Sequence, residues 1–235
     1  MEILAASLIE KAAELGATVA GLASVGELLT SPSHEGISIL EMDDAEDIVL
    51  VLGLHHPPSR PELDWYTGRG GTEGNRILMR INRNLIAWLK ESFEIGARDL
   101  PYYIEKGGVF LKDAAVMAGL GMVGINNLTV VPGYGPHVRF RGLLVNAPLP
   151  PTGRVDYSPC EDCHRPCLTV CPEEALAVGS FDREACLRNM SREGAGCLVL
   201  DSSSMDGARE IRFCRICELA CPLADNNDKV RPDPS

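Results

Sequence analysis

Two short runs of cysteine carry the clearest chemistry in this chain. Cys160 to Pro172 reads C-E-D-C-H-R-P-C-L-T-V-C-P, and Cys214 to Pro222 reads C-R-I-C-E-L-A-C-P. Cys186 and Cys197 lie between them and bring the total to nine. Thiolates are soft, charge-donating ligands, and several of them on one tight wrap of chain can close around a compact inorganic body. Three chemistries use such spacing. A disulfide framework suits small secreted domains, whereas this chain has 235 residues and no secretory leader is expected at its start. Zinc takes pairs of C-x-x-C, four ligands in all. Iron–sulfide cubes take four thiolates each, and a Cys-Pro ending on both runs favours them.

The cysteine spacings in the first run are two, three and three. The bacterial two-cluster pattern has two, two and three, so the third cysteine comes one residue late. His164-Arg165-Pro166 supplies the extra residue and lengthens one turn of the wrap, with His164 read as an exposed loop histidine. In the two-cluster pattern the cysteine before proline serves the other run's cluster. Applied here, Cys160, Cys163 and Cys167 join Cys221, while Cys171 joins Cys214 and Cys217. The second set then lacks one ligand. Cys186 is preferred because it follows Phe181-Asp182-Arg183-Glu184, a helix start, and lies nearer the first run. Cys197 is left as the spare, with the reverse assignment open.

The elements that must position these residues follow from periodicity. Glu2 to Leu15 reads as an amphipathic helix with Leu4, Leu8, Ala12 and Leu15 on one face. Thr18 to Val25 has strand character. Ile48 to Leu54 is a continuous apolar run, as expected of a strand covered on both faces. His55-His56-Pro57-Pro58 reads as the strand's end opening into a loop. Gly70, Gly71 and Gly74 match no phosphate-binding fingerprint. Asn75 to Ile95 is the strongest helix, with Ile77, Leu78, Ile81, Leu85, Trp88 and Leu89 as its stripe and Arg76, Arg80 and Arg83 solvated. Lys112 to Leu120 reads as a second helix, and the glycines of 119–124 keep side chains small where backbone must approach something closely. Leu128 to Val131 and Val138 to Val145 read as strands joined by Pro132-Gly133-Tyr134-Gly135-Pro136. Pro148, Pro150 and Pro151 mark a boundary. The expected organisation is an α/β (α+β) layered domain over 1–150, a cysteine-bearing domain over 151–224 and a mobile tail over 225–235.

Composition narrows the partners. Twenty-two basic and 33 acidic side chains give a formal charge of −11. Such a surface opposes polyphosphate, so nucleic acid is not expected as a partner. No apolar run is long enough to cross a membrane. Cysteines kept available to iron suggest a reducing cytoplasm.

Lys112-Asp113-Ala114-Ala115-Val116-Met117-Ala118-Gly119-Leu120-Gly121-Met122-Val123-Gly124-Ile125-Asn126-Asn127-Leu128 and Tyr134-Gly135-Pro136-His137-Val138-Arg139-Phe140, with the cysteine runs behind them, resemble the epoxyqueuosine reductase family, a relative of the corrinoid-dependent reductive dehalogenases. The resemblance spans about residues 45 to 222. It implies a nitroreductase-like domain that binds cobalamin and a ferredoxin-like domain with two 4Fe–4S clusters, in a short form without the family's C-terminal repeat domain. Gly119, Gly121, Met122, Val123, Gly124, Ile125, Asn126, Asn127 and His137 would then face the corrinoid. Met122 stands where the family has tryptophan, and Ile125 where it has lysine. Counting back from the loop, Glu105 falls where the family has its proton-donating aspartate, although the flanking I-E-K-G-G differs from the family's acidic stretch.

The resemblance implies an iron–sulfur oxidoreductase fed by a low-potential donor of ferredoxin or flavodoxin type. It would reduce a small substrate on the corrinoid, or the corrinoid itself. Epoxyqueuosine reduction on tRNA is one alternative. A ferredoxin-like carrier without a corrinoid is another. FMN is the second candidate cofactor, because the implied fold hosts both.

Overall fold

The computed structural model describes residues 1–31, 46–66, 71–190, 199–200, 209–210 and 213–225. Cys197, Gly70 and all but the first residue of the expected tail lie outside them. By its internal contacts the chain divides into two units, each gathered from separated stretches. The first comprises Met1–His55, Ile77–Met122 and Arg139–Asp156. The second comprises His56–Arg76, Val123–Val138 and Tyr157–Ser235.

The first unit is built on a four-stranded sheet of β1 (Val19–Ser24), β2 (Ile48–His55), β3 (Ala97–Asp99) and β6 (Val138–Val145) in the order β1-β2-β6-β3. β1 runs antiparallel to β2, from Val19 opposite Gly53 to Ser24 opposite Ile48. β3 runs antiparallel to β6, with Ala97 opposite Val145. Every residue of β2 except His55 is buried, as its unbroken apolar run requires. Helix α1 (Glu2–Glu14) lays Ala5, Leu8 and Ala12 inward and packs on β1. The buried face is one position off the expected stripe: Ala5 takes the place of Leu4, and Leu15 is the helix's C-cap. Helix α2 (Val25–Leu29) is capped by the Ser24 hydroxyl, which accepts from Glu27 N at 3.4 Å.

Helix α3 (Glu73–Phe93) begins and ends two residues before the expected bounds. Leu78, Ile81, Leu85 and Leu89 are buried along it, each at or near 0% exposure. Arg76 pairs with Glu73 at 2.7 Å on the solvent side. The helix is fixed to the sheet by a polar contact as well. The Asn82 amide donates to Gly142 O at 3.1 Å and to the Asp99 carboxylate, which also accepts from Arg141 at 2.6 Å. Helix α4 (Leu111–Met117) packs on β1 and β2. It stops earlier than the alanine-rich sequence suggests, because Gly119 adopts φ +70°. A Cβ there would lie 2.3 Å from Gly153 O.

The second unit carries small two-stranded sheets: β4 (Met122–Val123) with β5 (Thr129–Val130), β7 (Leu176–Ala177) with β8 (Ser180–Phe181), and β9 (Val199–Leu200) with β10 (Arg209–Glu210). Its helices α5 (Pro166–Val170), α6 (Arg183–Met190) and α7 (Ile216–Leu219) all carry or adjoin cysteines, and α5 packs against α7. The fold is therefore mixed α/β with antiparallel sheets. No helix among the described residues is long and apolar enough to cross a membrane.

Candidate functional site: two thiol quartets

The eight described cysteines are all free thiols. Cys167 lies in the first turn of α5 and Cys171 at its C-cap. The extra residue of the first run finds its place here. Arg165 adopts a left-handed conformation at φ +58°, and its N–H donates to Cys163 Sγ at 3.3 Å. Pro166 then opens the helix, where a missing N–H costs nothing. Cys186 sits on α6, which begins as the sequence suggests: the Asp182 carboxylate accepts from Ala185 N at 2.9 Å. Cys217 lies within α7, and Cys214 and Cys221 flank it.

The thiols sort into two groups by the charges each one feels. Burial pushes the Cys167 thiol up, and Cys160 and Cys163 push it further. Burial likewise raises Cys221, on which Cys163, Cys167 and Cys160 act in turn. The Cys217 thiol is pushed up to about 12, first by burial and then by Cys214, Cys186, Glu218 and Cys171. One quartet is therefore Cys160, Cys163, Cys167 and Cys221. The other is Cys171, Cys186, Cys214 and Cys217. In each, the cysteine before proline comes from the opposite run. Among the described residues no three His, Cys, Asp or Glu side chains draw close enough to hold a single metal ion.

N–H groups point at the sulfurs of both quartets. Ile125 N donates to Cys160 at 3.4 Å, Ala175 N to Cys171 at 3.4 Å, and the Asn189 amide to Cys214 at 3.1 Å. Ile125, Asn126, Val130, Cys163, Cys167 and Cys221, among others, line a small cavity of about 10 Å³ at the first quartet. Thiols gathered from both cysteine runs, with N–H donors aimed at them, suit an inorganic cube by the chemistry of the donor set.

The glycine-rich loop approaches its own chain. Gly124 and Leu128 close a β4–β5 turn, Gly124 N donating to Leu128 O at 2.9 Å, with Asn127 at φ +56°. The Asn126 side chain accepts from Leu128 N at 3.2 Å and is buried. A Cβ on Gly124 would meet Asn126 Oδ1 and Val130 Cγ2 at 2.9 Å and Cys160 Sγ at 3.5 Å. Met122 is half-buried, Val123 exposed and Gly121 buried. Glu105 lies in the short turn Ile104–Lys106, and its side chain is outside the described set.

A buried charge network went unread in the sequence. Arg215, 2% exposed, donates to the Asp64 and Glu218 carboxylates and to His56 O. His56 Nδ1 meets Asp64 at 3.1 Å, and His56 Nε2 lies 4.0 Å from Glu218. His137, expected at the corrinoid, is 2% exposed with Nε2 3.8 Å from Glu218. Burial lowers its pKa, Glu218 opposes that, and Arg215 and His56 reinforce it. The two histidines read as a loop opening thus include one buried member, His56. The only sequence hint is an arginine inside C-R-I-C, since its partner Asp64 lies 151 residues away.

This arrangement fits iron–sulfur binding. Comparison with known proteins agrees with it. No family model matches the sequence. The chain is 27% identical over 213 residues to an epoxyqueuosine reductase of Lactococcus garvieae, covering 83% of this chain and 58% of the relative. It is 27% identical over 123 residues to the tetrachloroethene reductive dehalogenase of Sulfurospirillum multivorans, covering 48% of this chain and 23% of that one. Among solved structures, an epoxyqueuosine reductase with an epoxyqueuosine-modified tRNA stem loop shares the fold, with TM-score 0.67 and 20% identity over 96% of this chain and 66% of that one. These findings support an epoxyqueuosine reductase-like family, as the motifs implied. The chain spans little more than half the length of the first relative.

Proposed function

We propose that the protein is an iron–sulfur oxidoreductase that relays electrons through two 4Fe–4S clusters to a bound corrinoid. The observation that carries this reading is the pair of thiol quartets, each drawing sulfur from both cysteine runs. Cys160, Cys163, Cys167 and Cys221 would hold one cluster, and Cys171, Cys186, Cys214 and Cys217 the other. When bound, the clusters supply one-electron storage and the corrinoid supplies the reducing metal.

The chain's own residues would do the rest. Backbone N–H groups of Ile125, Arg165 and Ala175 stabilise negative charge on the sulfurs they face. Residues Gly119, Gly121, Met122, Val123, Gly124, Ile125, Asn126, Asn127 and His137 would line the corrinoid side, in a nitroreductase-like domain. Glu105 would hold the proton that a departing oxygen needs. The electron donor would be a low-potential protein of ferredoxin or flavodoxin type in the cytoplasm.

A tRNA substrate has equal support. The argument from acidic charge against nucleic acid meets a neighbour of the same fold bound to a tRNA stem loop. Anaerobic purification with added cobalamin tests the main reading. Co-elution and a shifted corrin spectrum are expected, whereas clusters without retained cobalamin would leave only an electron carrier. Turnover of an epoxyqueuosine-modified stem loop by the loaded protein would decide for tRNA. Replacing Glu105→Gln should stop substrate turnover and spare cobalt reduction.

A further inference from the structure

The two quartets differ in their hydrogen bonding. Cys160, Cys163 and Cys171 receive backbone N–H groups, which no side-chain substitution removes. Cys214 receives a side-chain amide, Nδ2 of Asn189, at 3.1 Å. Asn189 sits on α6 three residues after Cys186, so both point from one helix face toward the second quartet. It is 3% exposed, although asparagine is a residue that water normally holds at a surface.

Its amide is lopsided. Oδ1 is buried and has no hydrogen-bond partner among the described residues, while Nδ2 reaches sulfur. A residue buried only to anchor a helix would be expected to satisfy its carbonyl, the stronger acceptor. A metal-bound thiolate carries no proton and can only accept, so it selects the N–H face of the amide.

The geometry points to Asn189 as a residue that sets the reduction potential of the second iron–sulfur site through its N–H···S bond to Cys214. This rests on the cluster reading above. Reduction adds one electron from a low-potential one-electron donor, and no bond to Asn189 forms or breaks. The added negative charge is shared with the sulfurs. A donor already aimed at one of them binds the reduced state more strongly than the oxidised one, because hydrogen bonds to charged acceptors are the stronger kind. Asn189 therefore favours reduction of its own site and leaves the other untouched. It is a positioning residue: it acts through the Cys214 sulfur and touches no substrate.

The test uses the full chain, reconstituted anaerobically with iron and sulfide and titrated with dithionite under EPR. Cys186→Ser identifies which of the two signals belongs to this quartet. Asn189→Leu and Asn189→Asp both remove the donor, and Asp keeps the shape if Leu disturbs packing. At full iron content, each should cut the reduced-to-oxidised ratio of that one signal by about tenfold at fixed potential, a shift of about 59 mV downward. Asp should shift it at least as far as Leu. An unmoved potential at full iron overturns the proposal. So does an equal shift of both signals, or loss of that cluster in both variants, which would make Asn189 a packing residue. Wild-type protein that takes up no iron would instead remove the cluster reading itself.

Discussion

Replacing Arg215→Met should be among the most damaging single changes in the second unit. The guanidinium is 2% exposed and lies against Asp64 at 0% and Glu218 at 7%. Its loss leaves two carboxylates buried, with the imidazoles of His56 and His137 among their neighbours. Breaking a buried ion pair from one side costs about 3–5 kcal/mol, chiefly because the abandoned charge stays out of water. With a urea slope of about 2 kcal/mol per molar, the unfolding midpoint should fall by about 2 M. The chain has two tryptophans, so Trp88→Phe leaves Trp65, next to Asp64, as a reporter for this unit. Measured on the metal-free protein, Arg215→Lys should fall between parent and Met, since it keeps the charge and loses the fork. Neutralising the partners together, as Asp64→Asn, Arg215→Met and Glu218→Gln, should recover part of the loss. A midpoint for Arg215→Met within about 0.5 M of the parent, or about 1 kcal/mol, would refute the idea that this network holds the unit together.

Four further outcomes are expected. Cys186→Ser should lower iron per chain by about half while Cys197→Ser leaves it unchanged, as assayed after anaerobic reconstitution; the opposite result would exchange their roles. Gly124→Ala should cost about 1–3 kcal/mol in urea unfolding, because its Cβ meets Asn126 and Val130 at 2.9 Å, and the quartet containing Cys160 should load less iron. In the metal-free protein the Cys217 thiol, pushed up to about 12, keeps its proton while the unfolded chain loses it. Stability should therefore be full below about pH 9 and drop as pH rises from there, and Cys217→Ala should flatten that drop in a pH series of thermal melts. His137 runs the other way: burial lowers its pKa, so the unfolded chain binds the proton first and stability is lost as pH falls below about 6.5. Replacing His137→Gln should remove that part of the acid loss.

Where a single element decides its own burial, the sequence is a good guide. β6 occupies Val138–Val145, the span that reads as a strand, and α6 starts at the Asp182 cap. Cys186, with Cys214 and Cys171, acts on Cys217, while Cys197 lies outside the described residues. Local backbone geometry was harder to foresee. α4 ends at Met117 because of a left-handed glycine, although alanine-rich sequence continues past it. The glycines of 119–124 imply close approach to something unnamed, and Gly119 comes near Gly153 and Gly124 near Cys160. Both are contacts between parts of this chain, and composition alone does not say what is being approached. The Arg215 network was invisible because its members are spread from His56 to Glu218, and each taken singly is an ordinary polar residue.

The exchange of Cys171 and Cys221 between the quartets has a consequence for biosynthesis. A chain leaving the ribosome exposes Cys160, Cys163 and Cys167 together, but their fourth companion, Cys221, follows only after the whole of the second run's other thiols. The second quartet is not whole until Cys217 has emerged, nor the first until Cys221 has. A message truncated anywhere before that last codon would yield protein unable to complete the first quartet.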